Sequence, residues 1–527
     1  MTAFTGVWPL VRFMLRRDRV FLPVWVVAIV GVVYVSLSAV HGLYDTPEAI
    51  AAYANTVASS PASVAFAGPP FAMDQIGGIL IYETSITALL GVAFMAVFTV
   101  VRHTRREEDA GRIELLGSTV VSPHAVITAA VLVAAFASVL VGVGVAASFL
   151  AEDQPVEPSL LYGASVAALG LVFTGVAAAA AQLMSHGRGA VGASLGFLAV
   201  AFGVRAIGDV QESSLSWLSP IGWSEQVGAY ELDRWWPLGL SLLFTAGMLA
   251  LTVALEARRD LGSGILTPRP GPAEAGPRLS GVVGLAWRLQ RGALFGWVVG
   301  FVAMAALLGS FSESIEDMIS ENPALSDVFA TAAAASLVDA YLAISLLLLS
   351  IGASGYAVAS ALRMRSEEAT GHLEPVLAAA VSRHRWIGGN LLVTLLGTLA
   401  LVVSGGLGLA VAFAVTTGRT EEAPGLVGAS LAYLPAILVV AGAAVLLFGL
   451  APRVATAVWV VVAYSFVVGW LGELLDLPTW AEDLSPFSHL PAVPAEDLTA
   501  MPVLLLCTAT AMLVAAGWAG FRRRDIG

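Results

Sequence analysis

The sequence predicts an all-α integral membrane protein: twelve transmembrane helices as two parallel six-helix repeats, with amphipathic elbow and coupling helices. Three observations predict it. Of the 527 residues, 58% are hydrophobic and 12% charged, against roughly 25% charged in an ordinary soluble domain. Twelve runs are apolar over the ~20 residues that a membrane-crossing helix needs. A charged twenty-residue segment recurs without a gap 260 residues later.

The elements follow in chain order. Residues 1–19 read as an interfacial helix: Phe4, Trp8, Val11 and Leu15 share one helical face, with Arg12, Arg16 and Arg19 off it. The first six-helix unit occupies 20–256, with spans near 20–40, 77–101, 125–149, 159–184, 190–209 and 236–256. The first run is too long for the apolar stretch of a cleaved signal peptide and lacks a small-x-small cleavage site. Residues 257–280 carry Pro268, Pro270, Pro272 and Pro277 with no apolar period, which predicts an extended cytoplasmic tether. The second unit, 281–527, has spans near 292–310, 336–361, 387–416, 425–450, 454–473 and 501–520.

Charge sets the orientation. With the N-terminus inside, every arginine except Arg205, Arg234 and Arg419 falls on cytoplasmic segments, as the positive-inside rule requires. An even number of spans then leaves both termini in the cytoplasm. The all-arginine, alanine-rich composition suits a high-GC bacterium, so the expected location is the bacterial cytoplasmic membrane. The net charge of -12 belongs to the outer surface and predicts neither a basic partner nor nucleic acid.

Absences exclude whole chemistries. All 26 basic residues are arginine, so a phosphate-binding GxxxxGK[ST] loop, which needs its lysine, and Schiff-base chemistry are both excluded. Cys507 is the sole cysteine, which excludes an intrachain disulfide and any CxxC site. The seven histidines form no HExxH pair. No catalytic residue, metal site or bound cofactor is expected.

The repeat is the most specific feature. RREEDAGRIELLGSTVVSPH at 105–124 aligns with RSEEATGHLEPVLAAAVSRH at 365–384. Identical pairs are Arg105/Arg365, Glu107/Glu367, Glu108/Glu368, Gly111/Gly371, Glu114/Glu374, Val121/Val381, Ser122/Ser382 and His124/His384. Both copies lie between the second and third spans of their units. Leu218-Ser219-Pro220 before the sixth span echoes Leu484-Ser485-Pro486 before the twelfth. Parallel repeats related by an axis along the membrane normal place a translocation path between the halves. In the first copy, Ser122-Pro123 reads as a serine cap with proline in the first turn of the third span. A solvated loop that merely enforces topology would explain the arginines. It would not explain glutamates and a glycine repeated at one spacing, because acidic residues add little to topology. The repeated segments therefore read as docking surfaces for a partner with two equivalent sockets.

The doubled unit, the RxEExxGxxE loop and the Leu-Ser-Pro element resemble, over essentially the whole chain, the permease subunit of ABC-2 type exporters. They most resemble the fused actinobacterial permeases described as exporters of polyketide antibiotics, including tetronasin-type transporters. The resemblance implies an ATPase-docking role for Arg105, Glu107, Glu108, Gly111 and Glu114, and for Arg365, Glu367, Glu368, Gly371 and Glu374. It also implies an elbow helix before the first span, two copies of a separate ATPase subunit that bind ATP and Mg, and, from a chain set in the lipid bilayer, export of a small lipophilic compound out of the cell. Glu83, Asp339 and Glu473, near the outer ends of spans two, eight and eleven, are expected on the substrate path. Arg205 and Asp209 stand four apart and could pair. The competing reading is a proton-coupled drug antiporter of the major facilitator type, with those acids as its relay. Against it, the G-x-x-x-D-R-x-G-R loop pattern is not present upstream of Gly111-Arg112.

Overall fold

The computed structural model describes the chain except residues 1–4, 44–45, 48–49, 52, 55–60, 118–119, 261, 267–273, 275, 277–278, 280, 322–333, 472–476 and 526–527. Among the described residues, twelve helices are long and apolar enough to cross a membrane. They close the backbone hydrogen bonds internally, which a lipid interior demands. The chain divides into two compact units, Met1–Gly271 and Pro272–Gly527.

In the first unit the spans are Phe21–Val40, Ile76–Asp109, Ala125–Ala151, Val156–Leu183, Gly187–Val210 and Pro237–Glu256. Spans two and four are the most buried. Span four carries the small-residue run Ala177–Ala181, and its neighbours approach it closely. A Cβ on Gly142 of span three would collide with the Gly163 carbonyl of span four, and the reverse holds too. Such backbone-to-backbone packing by small residues replaces the hydrophobic drive that lipid cannot supply.

The second unit repeats the pattern with Val282–Ser312, Val338–Ala369, Arg383–Thr417, Ala423–Leu450, Pro452–Gly469 and Ala500–Arg523. Its second and fourth spans are again the most buried. Here the tightest approach joins spans ten and twelve, where a Cβ on Gly449 would meet the Gly517 backbone. Large apolar side chains such as Val27, Val143, Leu243, Phe295 and Val415 face outward, as lipid-facing positions do.

The units begin differently. In the first, a separate helix Val7–Arg17 precedes span one. In the second, one helix runs from Val282 to Glu321. The Val7–Arg17 helix turns Val7, Leu10, Val11 and Met14 into the unit, one step round from the face expected from the sequence. Trp8 points outward under the Arg12 guanidinium, and Phe4 lies outside the described residues. Of the expected stripe, Val11 is buried and Leu15 packs partly on the core, while Trp8 stays at the surface.

Candidate functional site

The first charged loop begins where the helix Ile76–His103 breaks at Thr104. The Thr104 carbonyl accepts the N–H groups of Glu107 and Glu108, opening the short helix Arg105–Asp109. Gly111 then reverses the chain at φ +70°, a conformation that costs an L side chain energy. The helix Arg112–Gly117 follows. The second loop repeats these steps: helix Arg363–Ala369, Gly371 at φ +72°, helix Leu373–Ala378. In both copies the glycine N–H donates to the carbonyl of the second glutamate, Glu108 at 2.9 Å and Glu368 at 3.0 Å.

The starts of the following spans reverse the serine-cap expectation. Ser382 caps its helix, its hydroxyl accepting from Arg385 N–H at 3.3 Å. In the first copy the cap position is His124 and the helix begins at Ala125. Upstream, Ser122 N–H donates to the Thr5 carbonyl at 2.9 Å, tying the loop's end to the segment before the elbow helix.

The paired glutamates face inward. Glu107 accepts from Arg17 of the elbow helix at 2.7 Å and from Arg112 at 3.1 Å. Glu108 accepts from Arg259 at 2.7 and 3.0 Å, from Arg105 at 2.9 Å and from Gly262 N–H at 2.7 Å. Arg105 is fully buried and also donates to the carbonyls of Ser185 at 2.6 Å and Ser263 at 3.0 Å. Asp109 accepts the Gly187 N–H at the start of span five, at 2.7 Å. The loop is thereby tied to the elbow, to the turn between spans four and five, and to the stretch after span six.

That stretch opens the segment expected as an extended tether. Its first residues are stitched down: Ile265 N–H donates to the Gln182 carbonyl at 3.3 Å, and Leu266 N–H to that of Leu183 at 2.9 Å.

The second unit uses fewer bonds. Glu368 accepts from Arg524, just past the last span, at 2.6 Å, and Glu367 from Arg363 at 3.3 Å. Arg365 is half-buried. The repeated histidines also touch the last span of their own units: His124 pairs with Glu256 at 2.6 Å, and His384 accepts from the Trp518 indole at 2.8 Å.

What remains on the surface is a smaller set. Glu114 and Glu374 are exposed, with Arg106, Arg112 and His372 beside them, and Leu115 is 73% exposed. A cleft of about 450 Å³ lies between Ile113 on the loop and Ile127, Gln182, Glu256 and Arg259 on the unit. The Arg112–Gly117 helix therefore stands off the helical body.

The acids expected on a substrate path are not gathered into one site. Glu83 is exposed in span two and accepts from the Tyr53 hydroxyl. Asp339 is half-buried at the start of span eight, within the electrostatic reach of Arg419 and Glu422. Glu473 lies outside the described residues.

Two buried charge clusters escaped the sequence reading. Asp18, after the elbow helix, is completely buried against Arg102 at 3.0 Å and His103 at the end of span two. At the far end of the unit, Arg205 is completely buried between Asp209 and Glu225, each 3.6 Å away. Arg205 also donates to the Phe66 carbonyl at 3.0 Å and lies 4.4 Å from the Phe202 ring centroid. The four-residue spacing pointed to the Arg205–Asp209 pair. Nothing local to Glu225 announced the third member.

Comparison with known proteins places these features in a lineage. Residues 279–522 match the family model described as the C-terminal domain of multidrug efflux system permease Rv1217c. The chain is 38% identical over 528 residues to the multidrug efflux system permease protein Rv1217c of Mycobacterium tuberculosis (strain ATCC 25618 / H37Rv), covering all of this chain and 96% of that one.

Proposed function

The chain belongs to the family of the multidrug efflux system permease Rv1217c, and from that premise we propose that it is the membrane-spanning subunit of an ATP-binding cassette exporter. It is a multi-pass membrane permease for drug export, and its proposed cargo is lipophilic and drug-like. The energy comes from two copies of a separate ATPase that hold ATP and Mg and dock on the two charged loops.

One observation carries this reading: the same loop occurs twice, and in each unit its second glutamate is latched to an arginine just beyond the last span. A loop kept only for topology needs no such lock. A loop that must transmit a push does, because a slack connection would absorb the displacement. The ATPase would press on the exposed face, Glu114 and Leu115 in one loop and Glu374 in the other. Glu107, Glu108, Glu367, Glu368 and Arg105 act as positioning residues that pass the movement to the elbow and the last span. The glycines set the reversal between the two short helices.

The test is co-expression with a candidate ABC ATPase from the same genome, followed by drug-stimulated ATP hydrolysis in nanodiscs. Wild type should co-purify with the ATPase and respond to drug. Glu114→Arg/Glu374→Arg should lose association. Drug transport by the chain alone under a proton gradient, without ATP, would overturn the reading.

A further inference from the structure

We propose that Glu225 and Asp209 together hold one dissociable proton over the Arg205 guanidinium, and that this proton latches the segment 211–236 to span five and to the helix Pro61–Ala67. The site is distinct from the charged loops, which lie at the opposite ends of the spans.

Charge balance gives the first reason. One buried arginine faces two buried carboxylates, so two ionised acids leave an uncompensated negative charge, and a single bound proton makes the cluster neutral. Geometry gives the second. The Arg205 contacts to Asp209 and Glu225 are both 3.6 Å, too long for charge-assisted hydrogen bonds. One Asp209 oxygen accepts from the Ser216 hydroxyl. The Glu225 side chain is 7% exposed, and its Oε2 meets no protein donor among the described residues, its carboxyl lying instead against that of Asp209.

Glu225 lines a cavity of about 30 Å³ with Tyr82, Ser85, Tyr162 and Ser224. That is enough to hold ordered water. The Tyr82 hydroxyl is also buried without a partner among the described residues. The cavity has room for a water molecule beside the Glu225 carboxyl.

The ionisable neighbours of Glu225 can be named from each element around it. Span five brings Arg205 and Asp209, span two brings Tyr82 with Glu83 beside it, and span four brings Tyr162. Span six, the Ser214–Leu218 turn and the Pro61–Ala67 helix present none at this end. Burial pushes the Glu225 carboxyl up to about 8, with Arg205 opposing the rise and Asp209 adding to it.

The sign of the pH effect follows. An unfolded glutamate releases its proton near 4.5, whereas Glu225 in the folded chain keeps it to about 8. Across that window the folded state binds more protons, so stability falls as pH rises and levels off above about 8. Among the described residues the second unit has no such trio: span eleven contains only Arg453 as a charged residue.

The experiment uses the full chain in nanodiscs and needs no partner, so its failure would leave the proposed fuel untouched. The melting temperature of wild type should fall between about pH 5 and about pH 9. Glu225→Gln mimics the protonated acid without changing its shape. It should flatten that dependence and keep a high melting temperature at alkaline pH. Difference infrared spectroscopy should show a protonated carboxyl band lost near pH 8 in wild type and missing in the variant. Arg205→Gln should move the wild-type transition to higher pH. A Glu225→Gln protein that keeps the wild-type pH slope, or a carboxyl band that survives the substitution, would overturn the proposal.

Discussion

Arg259 grips Glu108 from 151 residues away, and Arg524 grips Glu368 in the second unit from a distance of 156. Each arginine lies just past the last span of its unit, so the loop after the second span is tied to the end of the sixth. The two locks differ in depth. The Glu108 and Arg259 side chains are 6% and 11% exposed, whereas Glu368 and Arg524 are 18% exposed each.

Removing Glu108 should therefore cost more than removing its repeat. Glu108→Ala leaves Arg105 and Arg259 buried with too little negative charge and strips the Gly262 N–H of its acceptor, a loss of about 3–5 kcal/mol. Glu368→Ala should cost about 1–3 kcal/mol, the range for one charged hydrogen bond. Thermal melts of the two single variants in nanodiscs check the order. Equal losses would mean that the extra bonds around Glu108 carry no weight.

The exposed face should behave in the opposite way. Glu114→Arg and Glu374→Arg touch no buried partner and should leave stability within about 0.5 kcal/mol of wild type, while abolishing ATPase association. Pull-down and melting on the same preparations separate docking from folding. A variant that melts early and also fails to associate would place Glu114 with the positioning residues.

The loops were legible because their glutamates and glycines recur at one spacing, and because Gly111 and Gly371 must stand at positive φ. Their latches were not. Arg259 and Arg524 are 265 residues apart rather than 260, so they drop out of the alignment that revealed the loops. An ion pair across more than 150 residues leaves no local pattern either. Glu225 was hidden differently: it sits among Trp217, Trp223, Trp235 and Trp236, a composition that reads as an interfacial belt. Asp18 was masked by Arg16, Arg17 and Arg19, which look like an ordinary charged terminus until the fold carries the aspartate onto His103.

Asp18 makes its own prediction. It is completely buried with Arg102 and His103 around it, and its removal leaves the arginine without its counter-charge. Asp18→Ala should destabilise the protein by about 3–5 kcal/mol, and Asp18→Asn by less, because the amide oxygen still accepts one hydrogen bond. Melting temperatures in nanodiscs give the comparison. An Asp18→Ala protein as stable as wild type would show that the elbow is held by Val7, Leu10, Val11 and Met14 alone.

Gly111 and Gly371 test the reversal itself. No atom lies within 4 Å of a Cβ placed at either site, so an added methyl meets no neighbour and only the backbone conformation resists it. Alanine should cost about 1–2 kcal/mol at each, the energy of forcing an L residue into the left-handed region. Asparagine, which tolerates that region, should cost less. If the loops must hold their shape to transmit force, Gly111→Ala should also lower drug-stimulated ATP hydrolysis more than its effect on melting explains. Asparagine should restore most of it. Alanine variants with full coupling would show that the loops work without a fixed reversal.

The stretch after span six allows the sharpest separation of tether from lever. A passive tether can lose any single backbone bond without consequence for coupling. Here Leu266 N–H reaches Leu183, the Ser185 hydroxyl donates to the Leu266 carbonyl at 3.0 Å, and Ser263 and Gly262 contact Arg105 and Glu108. Leu266→Pro deletes one donor and should cost only about 1 kcal/mol of stability. It should also loosen the stretch from the turn between spans four and five, raising protease cleavage within residues 258–266. If the stretch takes part in transmission, drug-stimulated hydrolysis in the assembled transporter should fall although ATPase binding is intact. If hydrolysis is unchanged while cleavage rises, the bonds around Leu266 only park the tether, and Arg259 and His124 carry the connection from the loop to the last span.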